Sequence, residues 1–348
     1  RDGSFPMKLL IVLAVVLLGG TAMILRGSSV KRSQAPRWMA SYHTDTQHQF
    51  NCGGTLIAPR IIHTAGHCLR KAERDGHFVV TLNDFLSDTP EKSELKRTGG
   101  DWYLRNKKHS TTDKADDYGL IFLDDPVSVC EEEEYDTLLA PIIIDSSIFP
   151  NETAVLEPAS MMGCSITGWG LNEKGRYDPP LRQARPRKMY TVRGMIYVVK
   201  YDNDARACNG DSGSPLVCKI RNIPVLMGNV AGGIAIDDDA VQEEREDWKK
   251  CDLRRDVYSY ITRQMPMLEK EIRKRKMWDE FVQAQRRIVD SEPPKRNIST
   301  RSPRISSSPK SLDSECATVI CDYHTISTII GIRCASYYMS RNGNKWIH

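Results

Sequence analysis

The sequence predicts an all-β protein, an antiparallel sandwich or barrel, followed by a C-terminal helix and a tail without a core of its own. Three observations carry that expectation. From about Arg37 to Tyr260, short runs rich in Val, Ile, Leu and Tyr are bounded by Gly, Pro, Asn and Asp, as in "GGTLIAPRIIHTAG", "YGLIFLDD", "MYTVRGMIYVVK" and "PVLMGNVAGGIAI". Such spacing marks short strands joined by frequent turns. From Ile261 to Asp290 glycine is absent and long side chains take over, as in "LEKEIRKRKMWDEFVQAQRRIVD", which favours helix. Beyond that, "SEPPKRNISTRSPRISSSPKS" is too rich in Ser, Pro and Arg to bury a core.

The N-terminal stretch bears on compartment. Met7, Lys8 and the apolar run Leu9 to Leu18, followed by Gly20-Thr21-Ala22, match a secretory signal cleaved after Ala22; the residues before Met7 are read as non-native. Gly19, Gly20 and Thr21 interrupt the run before it reaches the ~20 apolar residues of a membrane span, so no stable span is expected. Secretion permits disulfides among the 10 cysteines and agrees with the glycosylation sequons at Asn151 and Asn297. The chain has 348 residues, 40% of them apolar, enough for one large domain or two small ones. A net charge of +4, spread along the chain, gives no footprint for nucleic acid. The acidic runs Glu131 to Glu134 and Asp237 to Asp239 read as solvated loops.

The chemistry lies in three separated segments, "NCGGTLIAPRIIHTAGHC", "DDYGLIFL" and "RACNGDSGSPLVC". Acyl transfer by a serine needs a base for the hydroxyl proton, a buried carboxylate to fix that base, and backbone donors for the oxyanion. The segments supply His, Asp and Ser in that order. On these residues the chain resembles the chymotrypsin-like serine protease family. "TAGHC" is similar to the family's Thr-Ala-Ala-His-Cys, "DDYGLIFL" to Asn-Asp-Ile-Ala-Leu-Leu, "CSITGWG" to Cys-x-x-x-Gly-Trp-Gly, and "GDSGSPLVC" to Gly-Asp-Ser-Gly-Gly-Pro-Leu. The likeness runs from about Ile24 to Ile261 and implies two packed six-stranded antiparallel β-barrels. The expected organisation is a signal and upstream residues over 1–22, a protease domain over 24–265, a helical extension over 266–290 and a Cys-containing tail over 291–348.

The resemblance implies His67 as general base, Asp117 as its orienting carboxylate and Ser212 as nucleophile, with the amides of Gly210 and Ser212 as oxyanion donors. Asp116 is the neighbour that competes with Asp117, but only Asp117 keeps the family's spacing to Leu120. His63 and His67 have the spacing of a zinc pair yet lack the adjacent glutamate of that motif, so no metal and no cofactor is expected. The implied bridges are Cys52–Cys68, Cys164–Cys218 and Cys208–Cys251, leaving Cys130, Cys316, Cys321 and Cys334 without family partners. The resemblance also implies that Ile24 becomes a new N-terminus whose ammonium pairs with Asp211. Met23 stands before it, where the family has a basic residue, so signal cleavage after Ala22 leaves one extra residue and either Met23 is trimmed or another mechanism orders the pocket.

The pocket departs from the family pattern. Ala231 stands where a serine supports the catalytic Asp, Gly232 where a tryptophan walls the cleft, and Gly233 follows at the pocket rim. Arg206 takes the floor position at which an aspartate selects basic side chains, and Asp256 takes that of a glycine which leaves the pocket open. A buried guanidinium needs a counter-charge, so a fork-like Arg206–Asp256 pair is expected to plug the floor. The pattern predicts a secreted endopeptidase acting on protein or peptide substrates, not specific for Lys or Arg and open to protein protease inhibitors. The alternative is a protease-like binding protein without efficient catalysis, to which Ala231, Gly232, Met23 and the filled pocket point.

Overall fold

The computed structural model describes residues 24–43, 52–70, 78–86, 90–104, 114–129, 155–156, 163–177, 180–220, 223–235 and 247–290. The first sheet contains β2 (Met39–His43), β3 (Cys52–Ala58), β4 (Ile61–Thr64), β5 (Phe78–Leu82), β6 (Leu95–Gly99), β7 (Asp101–Leu104) and β8 (Gly119–Phe122), with the short helix α1 (Gly66–Leu69) after β4. The second contains β1 (Ser28–Ser29), β9 (Val155–Leu156), β10 (Ser165–Gly168), β11 (Arg182–Ala184), β12 (Pro186–Val192), β13 (Met195–Tyr201), β14 (Pro215–Ile220), β15 (Ile223–Ala235) and β16 (Arg254–Tyr260). Three further helices are α2 (Asp247–Asp252), α3 (Ile261–Lys274) and α4 (Trp278–Asp290).

The strand orders are β6-β5-β2-β3-β4-β8-β7 and β1-β11-β10-β14-β15-β16-β13-β12-β9, each antiparallel in its pairings. Seven and nine segments reduce to the expected six and six. β6 and β7 lie at opposite ends of their order yet are one bent strand, interrupted at Gly100. β11 and β12 flank the second order in the same way and are interrupted at Arg185, before Pro186, which has no N–H for the ladder. A strand that pairs at both ends of its own sheet curls that sheet into a barrel. The two-residue strands β1 and β9 are additions to the second barrel.

Each barrel buries its inward side chains. Tyr42, Leu56, Phe78, Val80 and Ile121 fill the first, and Ile166, Ile196, Leu216, Leu226 and Tyr258 the second. The stretch expected as one terminal helix is two. Lys276 takes a left-handed φ of 60°, and the Met277 N–H turns back to the Ile272 carbonyl. α3 gives Leu268 and Ile272 and α4 gives Phe281 to the main core, so the helices pack on the barrels rather than stand apart. Gln285 of α4 donates to the Ile57 carbonyl at 2.6 Å, at the irregularity of β3. Arg275, between the helices, pairs with Asp101 and Glu271 and lies 4.0 Å over the Phe122 ring. No helix among the described residues is long and apolar enough to cross a membrane.

Candidate active site

His67 sits on α1, at the end of β4, and Asp117 follows a 3-10 turn, Lys114–Asp116, that leads into β8. Because β4 and β8 are paired, with Thr64 opposite Gly119, the two side chains are brought together from 50 residues apart. His67 Nδ1 lies 2.6 Å from Asp117 Oδ2, and the His67 backbone N–H donates to Oδ1 at 2.7 Å. Side-chain exposure is 36% for His67 and 13% for Asp117, so the carboxylate is shielded while the imidazole remains open to a reactant. Asp116 points elsewhere, to Arg263 at 3.7 Å.

Ser212 stands on the turn before β14, and its carbonyl accepts the Gly53 N–H at 2.8 Å, tying the turn of the second barrel to β3 of the first. Gly210 precedes it with φ of 96°, a conformation that costs a side-chain-bearing residue but not glycine. Among the described residues the Ser212 hydroxyl makes no hydrogen bond, and His67 Nε2 lies 3.7 Å from Cys68 Sγ. Hydrogen bonds of this kind often tighten only with a reactant present. The disulfides Cys52–Cys68, Cys164–Cys218 and Cys208–Cys251 are formed. The first lies beside His67 and the third joins the Ser212 turn to α2.

Two buried carboxylates lie near that turn. Asp211 accepts the N–H groups of Gly170 at 2.8 Å and Cys208 at 2.9 Å, and burial pushes its pKa up to about 7 against those bonds. Ile24 is fully buried with φ of 51°, and Leu25 bridges to Arg206. No ion pair joins Ile24 to Asp211 among the described residues. The chain is continuous through Met23, so the Ile24 nitrogen is an amide without charge.

The expected Arg206–Asp256 fork is not formed. Asp256 accepts the Ala207 N–H at 2.8 Å and bonds Tyr201, donors that need no desolvated cation. Its pKa rises to about 6, chiefly through burial, and Arg206 acts on it only as the weakest of the opposing influences. Arg206 Nη1 donates to the Ala205 carbonyl at 2.8 Å, and its buried Nε has no hydrogen-bond partner among the described residues.

Ala231 and Gly232 lie on β15, where the register against β16 shifts between Val230 and Gly232. Gly232 has φ of 124°, and a Cβ on Gly233 would meet the Arg254 side chain. The Ala231 carbonyl accepts from Lys114 Nζ at 2.9 Å. Met23, Cys130, Cys316, Cys321, Cys334, Asn151, Asn297, the expected signal segment and both acidic runs lie outside the described residues.

Sequence reasoning missed Lys114 and a buried polar chain behind Asp117. Asn229 donates to the Asp117 carbonyl at 3.0 Å, and Gln264 donates to Asn229 and Ser259 while its Oε1 lies 2.6 Å from His63 Nε2. Ser259 donates to the Ala115 carbonyl. His63 is thus on a strand, facing an amide, and burial lowers its pKa to about 4, so it stays neutral. Asp84, Glu91 and Glu94 bring carboxylate oxygens within 4.8 Å of one another, a set that suits a hard cation, although Arg32 already pairs with Glu91.

Among known proteins, the family model described as trypsin matches residues 24–242. Kallikrein-11 of Homo sapiens is 26% identical over 228 residues, covering 60% of this chain and 72% of its own length. Serine protease 41 of Homo sapiens is 27% identical over 234 residues, covering 61% and 69%. Ovochymase of Halocynthia roretzi is 27% identical over 224 residues, covering 60% of this chain but only 13% of that protein.

Proposed function

Because the chain belongs to the trypsin family of serine endopeptidases, we propose that His67, Asp117 and Ser212 are the triad through which it hydrolyses peptide bonds. The observation that carries this reading is the 2.6 Å contact between His67 Nδ1 and Asp117 Oδ2. It holds the proton on Nδ1 and leaves Nε2 as the base. Ser212 Oγ gives its proton to Nε2 as it attacks the scissile carbonyl, and the N–H groups of Gly210 and Ser212 receive the oxyanion. His67 then returns the proton to the leaving amine, and a water repeats the sequence on the acyl-enzyme.

Arg206 argues against Lys or Arg at the residue before the cleaved bond, since a guanidinium on the pocket floor repels a second cation and Asp256 is engaged elsewhere. A peptide library profiled with the unmodified protein and with Asp256→Gly tests this. Strong cleavage after Lys or Arg would defeat it. Activation is read as cleavage before Ile24, which gives Asp211 the ammonium that burial without a cation calls for. The disulfides and the N-terminal apolar run support secretion. Stoichiometric fluorophosphonate labelling of Ser212 is the direct test. Absence of label would remove Ser212 as nucleophile and leave the binding-protein reading.

A further inference from the structure

We propose that Lys114 is a specificity-determining residue that selects peptides with Asp or Glu on the N-terminal side of the cleaved bond. The inference rests on the peptidase reading and deepens it. Lys114 is half-buried on the single turn that ends at Asp116, three residues before Asp117, so it flanks the triad without belonging to it. Its ammonium donates to the Ala231 carbonyl across 117 residues of sequence. A Cβ built on Gly232 would lie only 2.9 Å from Nζ, so the ammonium occupies the space that a side chain on Gly232 would fill.

The place of that carbonyl gives the contact its meaning. β15 pairs with β14 only as far as Asn229 opposite Pro215, while its other edge pairs with β16 as far as Ala235 opposite Arg254. Beyond Asn229 and the short bonds of Val230 with the Gly213–Ser214 turn, no described strand pairs with the β14-side edge of β15, which runs beside the Ser212 turn. Peptides that add to such an edge bind through main-chain hydrogen bonds, and Ala231, which the register shift leaves opposite no residue of β16, carries a carbonyl outside the ladder that can accept one. Lys114 covers it.

The ammonium lacks a matching charge. Asp116 is turned to Arg263 and Asp117 to His67, and among the described residues no carboxylate pairs with Lys114. An ammonium bonds a carboxylate more strongly than a neutral carbonyl. An incoming acidic side chain therefore draws Lys114 off Ala231 and frees the acceptor for the peptide backbone. A neutral side chain leaves the two in competition.

The test uses the full chain with Ser212→Ala, so that peptides bind without being cut, and fluorescence anisotropy with labelled peptides. Members of each pair differ only by Glu or Gln, placed in turn at the four positions before the bond. At one position the Glu peptide is expected to bind about tenfold tighter, the scale of one charge-assisted hydrogen bond. Lys114→Gln should erase that difference, Lys114→Arg should keep most of it, and Lys114→Glu should transfer the preference to a Lys peptide. Equal binding of every pair overturns the proposal, as does a difference that survives Lys114→Gln or a failure of all peptides to bind. Labelling of Ser212 in the unmodified protein is read separately, so loss of the acidic preference and loss of the peptidase reading remain distinguishable.

Discussion

Ser212→Ala should abolish hydrolysis and leave the melting temperature within a few degrees, because the half-buried hydroxyl makes no hydrogen bond among the described residues. Cleavage above background by that variant, measured on any substrate of the unmodified protein, would remove Ser212 from the mechanism. Asp211 and Asp256 make a second prediction, on pH. Their folded pKa values, about 7 and about 6, lie above the ~3.9 of an unfolded Asp. The native state therefore holds protons that the unfolded chain has released, and stability is lost as pH rises from about 4 through those values. His63, lowered to about 4, works the other way and withdraws stability as pH falls below its unfolded ~6.5. Melting curves from pH 4 to 8 should thus show a net decline that Asp256→Asn makes shallower, since Asn keeps an acceptor for the Ala207 N–H without the buried charge. A steeper decline in the variant would show that Asp256 is compensated by a cation. Cleavage before Ile24 should flatten the remaining slope, because an ammonium beside Asp211 lowers its pKa.

α4 offers the clearest energetic test among the helices. Phe281 is fully buried in the main core, its ring centroid 5.2 Å from that of Trp278 with the planes tilted by 31°. Phe281→Ala should cost about 3–5 kcal/mol, read as a fall in denaturation midpoint with the unfolding slope unchanged. A cost below ~1 kcal/mol would mean that α4 is docked only through Gln285. This helix also marks the limit of what could be read beforehand. The helical composition of 261–290 was legible, but the break at Lys276 was not, because "RKRKM" holds neither Gly nor Pro and the left-handed turn answers to packing on the barrels. The segments around His67, Asp117 and Ser212 were legible because each is a short local pattern. Lys114 on Ala231 and Asn229 on Asp117 were not, since such contacts span more than 100 residues and leave no local trace. The Arg206–Asp256 pair was misread for a related reason. The expectation rested on the need of a buried guanidinium for a counter-charge, but a backbone N–H and a tyrosine took the Asp256 carboxylate first.

The barrels and their two helices set what the chain needs in order to fold. Truncation after Asp290 should leave melting temperature and Ser212 labelling unchanged, because the Ser-, Pro- and Arg-rich composition beyond it cannot bury a core. A truncated chain that fails to fold would show that the tail holds a partner, Cys130 being the first candidate. Truncation after Lys276 should destabilise strongly, since it removes Phe281 and Gln285. The strand pairings have a further consequence, for the order of events during synthesis. All described pairings of the first barrel fall between Met39 and Phe122, so they are complete in sequence while the second barrel is still being made. The second requires Ser28 opposite Gln183 and Met195 opposite Ser259, so its earliest described strand waits for β11 and the barrel as a whole for β16. A ribosome extending the chain from one end would release a closed first barrel trailing a free β1, which docks only when β11 emerges. Pulsed hydrogen exchange during refolding should accordingly protect the amides of β2 to β5 before those of Val30 and Arg206, which bond to Leu181 and Leu25. The segment proposed to carry the new terminus is thereby enclosed only after the first barrel has closed.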